Sequence, residues 1–99
     1  MNKFETVEMA SGGLALVLEP SAEWHDFSKH STKWAQKLKA NVLNNAVISN
    51  DECLQEVEIE GHKFWITYDD FQSSVQLEPS EKSSNDIILS IQKMLKNSS

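Results

Sequence analysis

Residues 4–9 interleave β-branched and aromatic side chains with charges and then meet Ser11-Gly12-Gly13, which predicts a strand ending in a turn. Residues 14–18 follow as a second strand, completing an opening hairpin. Leu14, Leu16 and Leu18 share one face of that strand and Ala15 and Val17 the other, so it belongs inside the sheet with neither face fully wet. Pro20 ends it. Ser21 is a suitable N-cap for a helix over 22–40, in which Trp24, Phe27, Trp34, Ala35 and Leu38 fall in one arc and Lys29, Lys33 and Lys37 stack on the opposite side. Glu23 and Asp26 near its start and Lys37 and Lys39 near its end suit the helix dipole.

The Asn-rich stretch 41–50 has no helical stripe and reads as a connection with a short extended piece at 46–48. Residues 53–60 and 63–68 read as a hairpin around Gly61-His62. That turn pairs Glu60 with Lys63, Ile59 with Phe64, Glu58 with Trp65, Val57 with Ile66 and Gln55 with Tyr68, leaving every apolar pair on one face. Asp69-Asp70-Phe71-Gln72 predicts a further turn, and 73–78 a last strand with Val75 and Leu77 inward. Leu77-Glu78-Pro79-Ser80 then repeats the punctuation of Leu18-Glu19-Pro20-Ser21, ending a strand and capping a helix. The final helix carries Ile87, Ile88, Ile91, Met94 and Leu95 on one stripe, with Leu89 outside it. The predicted order is ββαβββα, an α+β fold with a mainly antiparallel five-stranded sheet and two helices on one face.

Composition narrows the functional classes. Ninety-nine residues suit one domain spanning 1–99. No apolar run reaches the roughly 20 residues needed to cross a bilayer, and the first residues lack a signal-peptide core, so a cytoplasmic protein is expected. The single cysteine, Cys53, fits a reducing compartment. Residues 1–49 carry five lysines and five acids, so the whole net charge of -6 comes from 50–99. Without any arginine, such a chain is a poor candidate for specific nucleic-acid binding and a better one for a basic partner.

Catalytic material is sparse. His25, His30 and His62, with Cys53 and Asp69-Asp70, are the only candidates for a metal site, yet His25 and His30 stand about 140° apart around a helix, where two imidazoles cannot share an ion. Cys53 falls on the inward phase, Asp69-Asp70 on a turn, and the lysine stripe on a solvated helix face. No catalytic, metal or cofactor residue is therefore expected. Trp65 stands out, because its phase points away from the helices, beside Glu56, Glu58, Glu60 and Thr67, with Ala15 and Val17 on the same side. Two dispositions are open to it: it lies flat under the 41–50 segment or lysine stems, or it centres a surface for a protein partner or a second copy.

Glu23-Trp24-His25-Asp26-Phe27, then Glu58-Ile59-Glu60-Gly61-His62-Lys63-Phe64 with Thr67-Tyr68-Asp69, then Ser74-Val75-Gln76-Leu77-Glu78, together resemble an uncharacterised family of short gammaproteobacterial proteins, a domain of unknown function, over residues 14–96. Gln76 and Val57 stand where that family carries tryptophan. The resemblance implies a bacterial cytosolic protein and transfers no site residue. The leading expectation is a non-enzymatic interaction module, regulatory or adaptor-like, using the acidic sheet face around Trp65. The alternatives are an antitoxin- or immunity-like inhibitor of a basic enzyme, and a small-ligand binder or enzyme with a cleft between the helices and the 41–50 loop.

Overall fold

The computed structural model describes residues 4–9, 12–44, 46–48, 53–70, 73–80 and 84–98. It is an α+β fold whose strands are β1 (Thr6–Glu8), β2 (Leu14–Glu19), β3 (Asn41–Val42), β4 (Val47–Ile48), β5 (Cys53–Ile59), β6 (His62–Asp69) and β7 (Ser74–Pro79). The helices are α1 (Phe27–Lys37) and α2 (Asn85–Ser98). All pairings among the described strands are antiparallel, in the order β1-β2-β7-β6-β5-β3, with β4 also on β5. The five expected strands are present. The two additional ones lie in the presumed connection: Val47–Ile48 falls within the short extended piece expected at 46–48, Asn41–Val42 is new, and both pair along the edge of β5. Among the described residues no helix is long and apolar enough to cross a membrane.

Both helices cover the same face. Phe27, Trp34, Ala35 and Leu38 of the α1 region and Ile88, Ile91 and Leu95 of α2 join Leu16, Leu18, Val57, Ile59, Phe64, Ile66, Val75 and Leu77 in one core. Ser31 sits buried in the α1 stripe, its hydroxyl donating to the Ser28 carbonyl at 3.1 Å. Asn85 fastens the start of α2 to the first hairpin, its side chain accepting from Leu14 N–H at 3.0 Å and donating to the Gly12 carbonyl at 3.2 Å.

The first helix is shorter than the predicted 22–40, and Ser21 does not cap it. The Ala22 N–H donates to the Ser73 carbonyl at 2.7 Å and the Tyr68 hydroxyl to the Ala22 carbonyl at 3.0 Å, which ties this segment to the sheet. Trp24–Asp26 then forms only a 3-10 turn, which puts Trp24 outside the apolar arc and leaves it 38% exposed. At the other end the N–H groups of Lys39 and Ala40 bond to the carbonyls of Gln36 and Ala35, a Schellman cap in which Lys39 takes φ 55°. Glycine is the usual residue there, because a Cβ is disfavoured at positive φ. Lys39→Gly is therefore expected to stabilise the protein by about 1 kcal/mol, a gain that urea denaturation would register.

In the second helix Met94 is 48% exposed, at the edge of the predicted stripe, while Leu89 is exposed as expected. The cap expected from Ser80 bears on residues 81–83, which lie outside the described residues; α2 itself begins at Asn85. The other half of the predicted turn after Asp70, residues 71–72, lies outside the described residues.

The central hairpin turns one residue earlier than predicted. Ile59 pairs with His62, Val57 with Phe64 and Glu56 with Trp65. Glu60 and Gly61 are the turn, with φ of 52° and 82°. Positive φ at both central positions marks the type I′ geometry that matches strand twist, and glycine satisfies it best in second place. The partition into faces is unchanged, since the pairing sum moves by two residues and side chains alternate with the same period.

One more irregularity re-aims a carboxylate. Val17 faces Gln76 but Glu19 faces Val75, so β2 holds one residue in excess. Leu18 is thus buried and Glu19 also reaches the helical layer, where it accepts from Trp34 Nε1 at 2.9 Å and from Lys33 Nζ, with His30 Nδ1 at 3.9 Å. Burial pushes the Glu19 pKa up, but the Lys33 and Trp34 hydrogen bonds and the charges of Lys33 and His30 outweigh it and hold the carboxyl below its ordinary value. A depressed folded-state pKa gives stability that is present above the unfolded value and lost as pH falls through the folded one. Glu19→Gln is accordingly expected to cost about 1–2 kcal/mol at neutral pH and progressively less below about pH 4. Parallel urea melts of both proteins across the acid range check this; a gap independent of pH would contradict it.

Candidate functional site

Strand alternation aims one set of side chains at the helices and the other at a face that neither helix covers. On this outer face the pairings define rows across the sheet. Glu56, Trp65 and Glu78 make one, with Trp65 directly opposite both carboxylates. Leu54, Thr67, Gln76 and Val17 make the next. Asp69 and Ser74 lie beyond it, and Glu58 opposite Lys63 lies towards the hairpin turn.

A polar net fixes these side chains. Thr67 Oγ1 donates to Glu78 Oε2 at 2.5 Å, Gln76 Nε2 to Asp69 Oδ2 at 3.4 Å and to Ser74 Oγ at 3.3 Å, and Asn44 Nδ2 to Glu56 Oε1 at 2.5 Å. Ser74, Gln76, Ala15 and Val17 are buried, whereas Trp65, Thr67, Leu54, Glu56, Glu58 and Glu78 are half-buried. Trp65 therefore keeps part of its indole in solvent. The described residues of 41–48 run along the edge of β5, with Asn41 opposite Glu58 and Val47 opposite Leu54, and Asn44 bonds to Glu56.

Charge is segregated by layer. Among the described lysines, Lys29, Lys33, Lys37 and Lys39 belong to α1 and its cap and Lys93 and Lys96 to α2, leaving Lys63 alone on the outer sheet face. Against it stand Glu56, Glu58, Asp69 and Glu78. On the helical side two lysines pack on an aromatic ring: Lys33 Nζ lies 5.5 Å and Lys37 Nζ 4.9 Å from the Trp34 centroid, so the stripe is partly engaged and not merely solvated.

The sequence-predicted site residues are only partly brought together. Trp65, Glu56 and Thr67 are neighbours on the outer face, Val17 lies in the Thr67 row, and Glu58 is countered by Lys63. Glu60 is not on this face, because the turn takes it out of β5 and into a positive-φ position. Glu78 and Leu54 were missed. Their outward phase was readable, since Leu77 and Cys53 point inward, but their adjacency to Trp65 and Thr67 required the order and register of the strands.

Elsewhere the described residues line further concavities, among them one of about 320 Å³ formed by Gly61, His62, Lys63, Ser80 and Ser84. A shallow depression of about 680 Å³ is lined by Ser21, Glu23, Trp24, Asp26, His30 and Tyr68. Its acids already face a histidine: His25 Nε2 lies 3.4 Å from Glu23 Oε2 and 3.8 Å from Asp26 Oδ2. An apolar cleft of about 330 Å³ is formed by Leu38, Ile59, Ile87, Ile91 and Met94 between the helices, at the hairpin end of the sheet instead of against the 41–50 loop. Among the described residues no three of His, Cys, Asp and Glu gather as metal ligands. Cys53 is buried, and burial together with the charge of Asp70 raises its thiol pKa, which suppresses the thiolate a nucleophile needs.

The fold is an α+β arrangement in which both described helices cover one face of the sheet and neither covers the other. No family model, no curated protein and no solved structure matches the chain.

Proposed function

We propose that this chain is a non-enzymatic protein-interaction module, acting in the cytoplasm, whose partner docks on the acidic outer face of the sheet around Trp65. One observation carries the reading: a half-buried tryptophan lies in the middle of a sheet face that neither described helix covers, in a row with two carboxylates. Partly exposed tryptophans framed by polar groups are what interface hot spots are made from. The layer-wise charge favours a basic partner and steers its approach to this side of the molecule.

The experiment is affinity capture from the cells that make the protein, with wild type and Trp65→Ala compared at low and high salt. The expected result is a protein retained by wild type, released by high salt and lost from Trp65→Ala while the variant stays folded by circular dichroism. Identical retained sets for the two proteins would contradict the reading.

A further inference from the structure

We propose that the partner seats an arginine side chain on the Trp65 indole, between the carboxylates of Glu56 and Glu78. This inference rests on the reading of the outer face as a protein-docking surface and names the chemistry that the surface takes. Adjacent strands lie about 4.8 Å apart, so Glu56 on β5 and Glu78 on β7 flank Trp65 on β6 with their backbones roughly 10 Å apart. A planar guanidinium matches that arrangement, because it can stack on the indole and still donate hydrogen bonds from its edges to carboxylates on both sides. An ammonium, compact and strongly hydrated, has no planar face to lay on the indole and no fixed fork to set against two carboxylates.

Both carboxylates are held by neutral donors, Glu78 by the Thr67 hydroxyl and Glu56 by the Asn44 amide. These bonds orient the carboxylates without cancelling their charge, and no described residue forms a salt bridge with either one. Lys63, the lysine on this face, stands opposite Glu58 instead. An apolar occupant would strip water from the two carboxylates without replacing its hydrogen bonds, and an acidic one would be repelled. These 99 residues contain no arginine, so the guanidinium is not supplied by a second copy of them.

The test is titration of hexa-arginine and hexa-lysine peptides into 15N-labelled protein, as wild type, as Glu56→Gln/Glu78→Gln, and as a Glu23→Gln/Asp86→Asn control with the same change in net charge. Hexa-arginine is expected to shift the Trp65 indole N–H signal and the amides of β5, β6 and β7. Its affinity is expected to fall about tenfold in Glu56→Gln/Glu78→Gln and to stay within about twofold in the control. Hexa-lysine is expected to bind wild type about fivefold more weakly. If hexa-arginine shifts the sheet-face signals but binds Glu56→Gln/Glu78→Gln as well as wild type, or no better than hexa-lysine does, the arginine seat is overturned and the docking face stands. If the shifts fall on the helical layer, or the control loses as much affinity as the sheet-face variant, the docking face is overturned as well.

Discussion

Trp34→Ala is expected to lower the unfolding free energy by about 3–5 kcal/mol, a large part of the stability of a domain this size. The indole is 3% exposed and meets four different partners. Glu19 accepts its N–H at 2.9 Å, the Phe4 ring meets it edge-on at 5.8 Å and 82°, and the ammonium groups of Lys33 and Lys37 lie over its ring. Truncation opens a cavity and also removes a hydrogen-bond donor from the Glu19 carboxylate, so transfer, cavity and electrostatic losses fall on one site. Urea denaturation checks the value. A loss below about 1 kcal/mol would mean that Trp34 does not join the two layers as described.

The second large effect is a contrast between adjacent residues. Phe64 is fully buried on the helical side of β6, and Trp65 is half-buried on the other. Phe64→Ala is expected to cost about 3–5 kcal/mol and Trp65→Ala about 1 kcal/mol or less, although tryptophan is the larger side chain. The ordering follows from β6 aiming successive residues at opposite faces. It also bears on function, because a tryptophan that contributes little to stability yet occupies the middle of an open face serves something other than the core. Equal costs at the two positions would show that Trp65 is packed as tightly as Phe64.

Much of this was legible from alternation and helical periodicity. The inward residues of β5 and β6, the apolar stripes of both helices and the shared outward phase of Trp65, Glu56 and Thr67 all follow from periodicity, and the strand alternation survives a turn displaced by one residue because the pairing moves by two. Local exceptions were not legible, each for a physical reason. Glu60 was assigned to the strand because glycine fits either place of a tight turn, and only the positive φ at both central positions decides for Glu60-Gly61.

Glu19 reads as outward by simple alternation, and the residue in excess on β2 turns it to Trp34. The start of α1 was placed too early because Ser21 has cap chemistry, whereas long-range bonds from Ser73 and Tyr68 hold Ala22 out of the helix. Its end came late because the cap uses Lys39 in place of the expected glycine. The apolar residues of 41–48 lacked a strand-length run, so their pairing with β5 was not apparent. For the candidate site, the sequence placed the acidity in the second half of the chain; the fold sets four of those acids, Glu56, Glu58, Asp69 and Glu78, on the outer sheet face, with all the described lysines but Lys63 on the helical side.

Site-specific photo-crosslinking tests the central claim most directly. A benzophenone amino acid placed at Lys63, on the outer sheet face, or at Ser90, exposed on α2, is irradiated in cells and the adducts are compared. The account predicts a partner adduct from position 63 that disappears when Trp65→Ala is added, and none of the same mass from position 90. An adduct from position 90 with none from position 63 would contradict it.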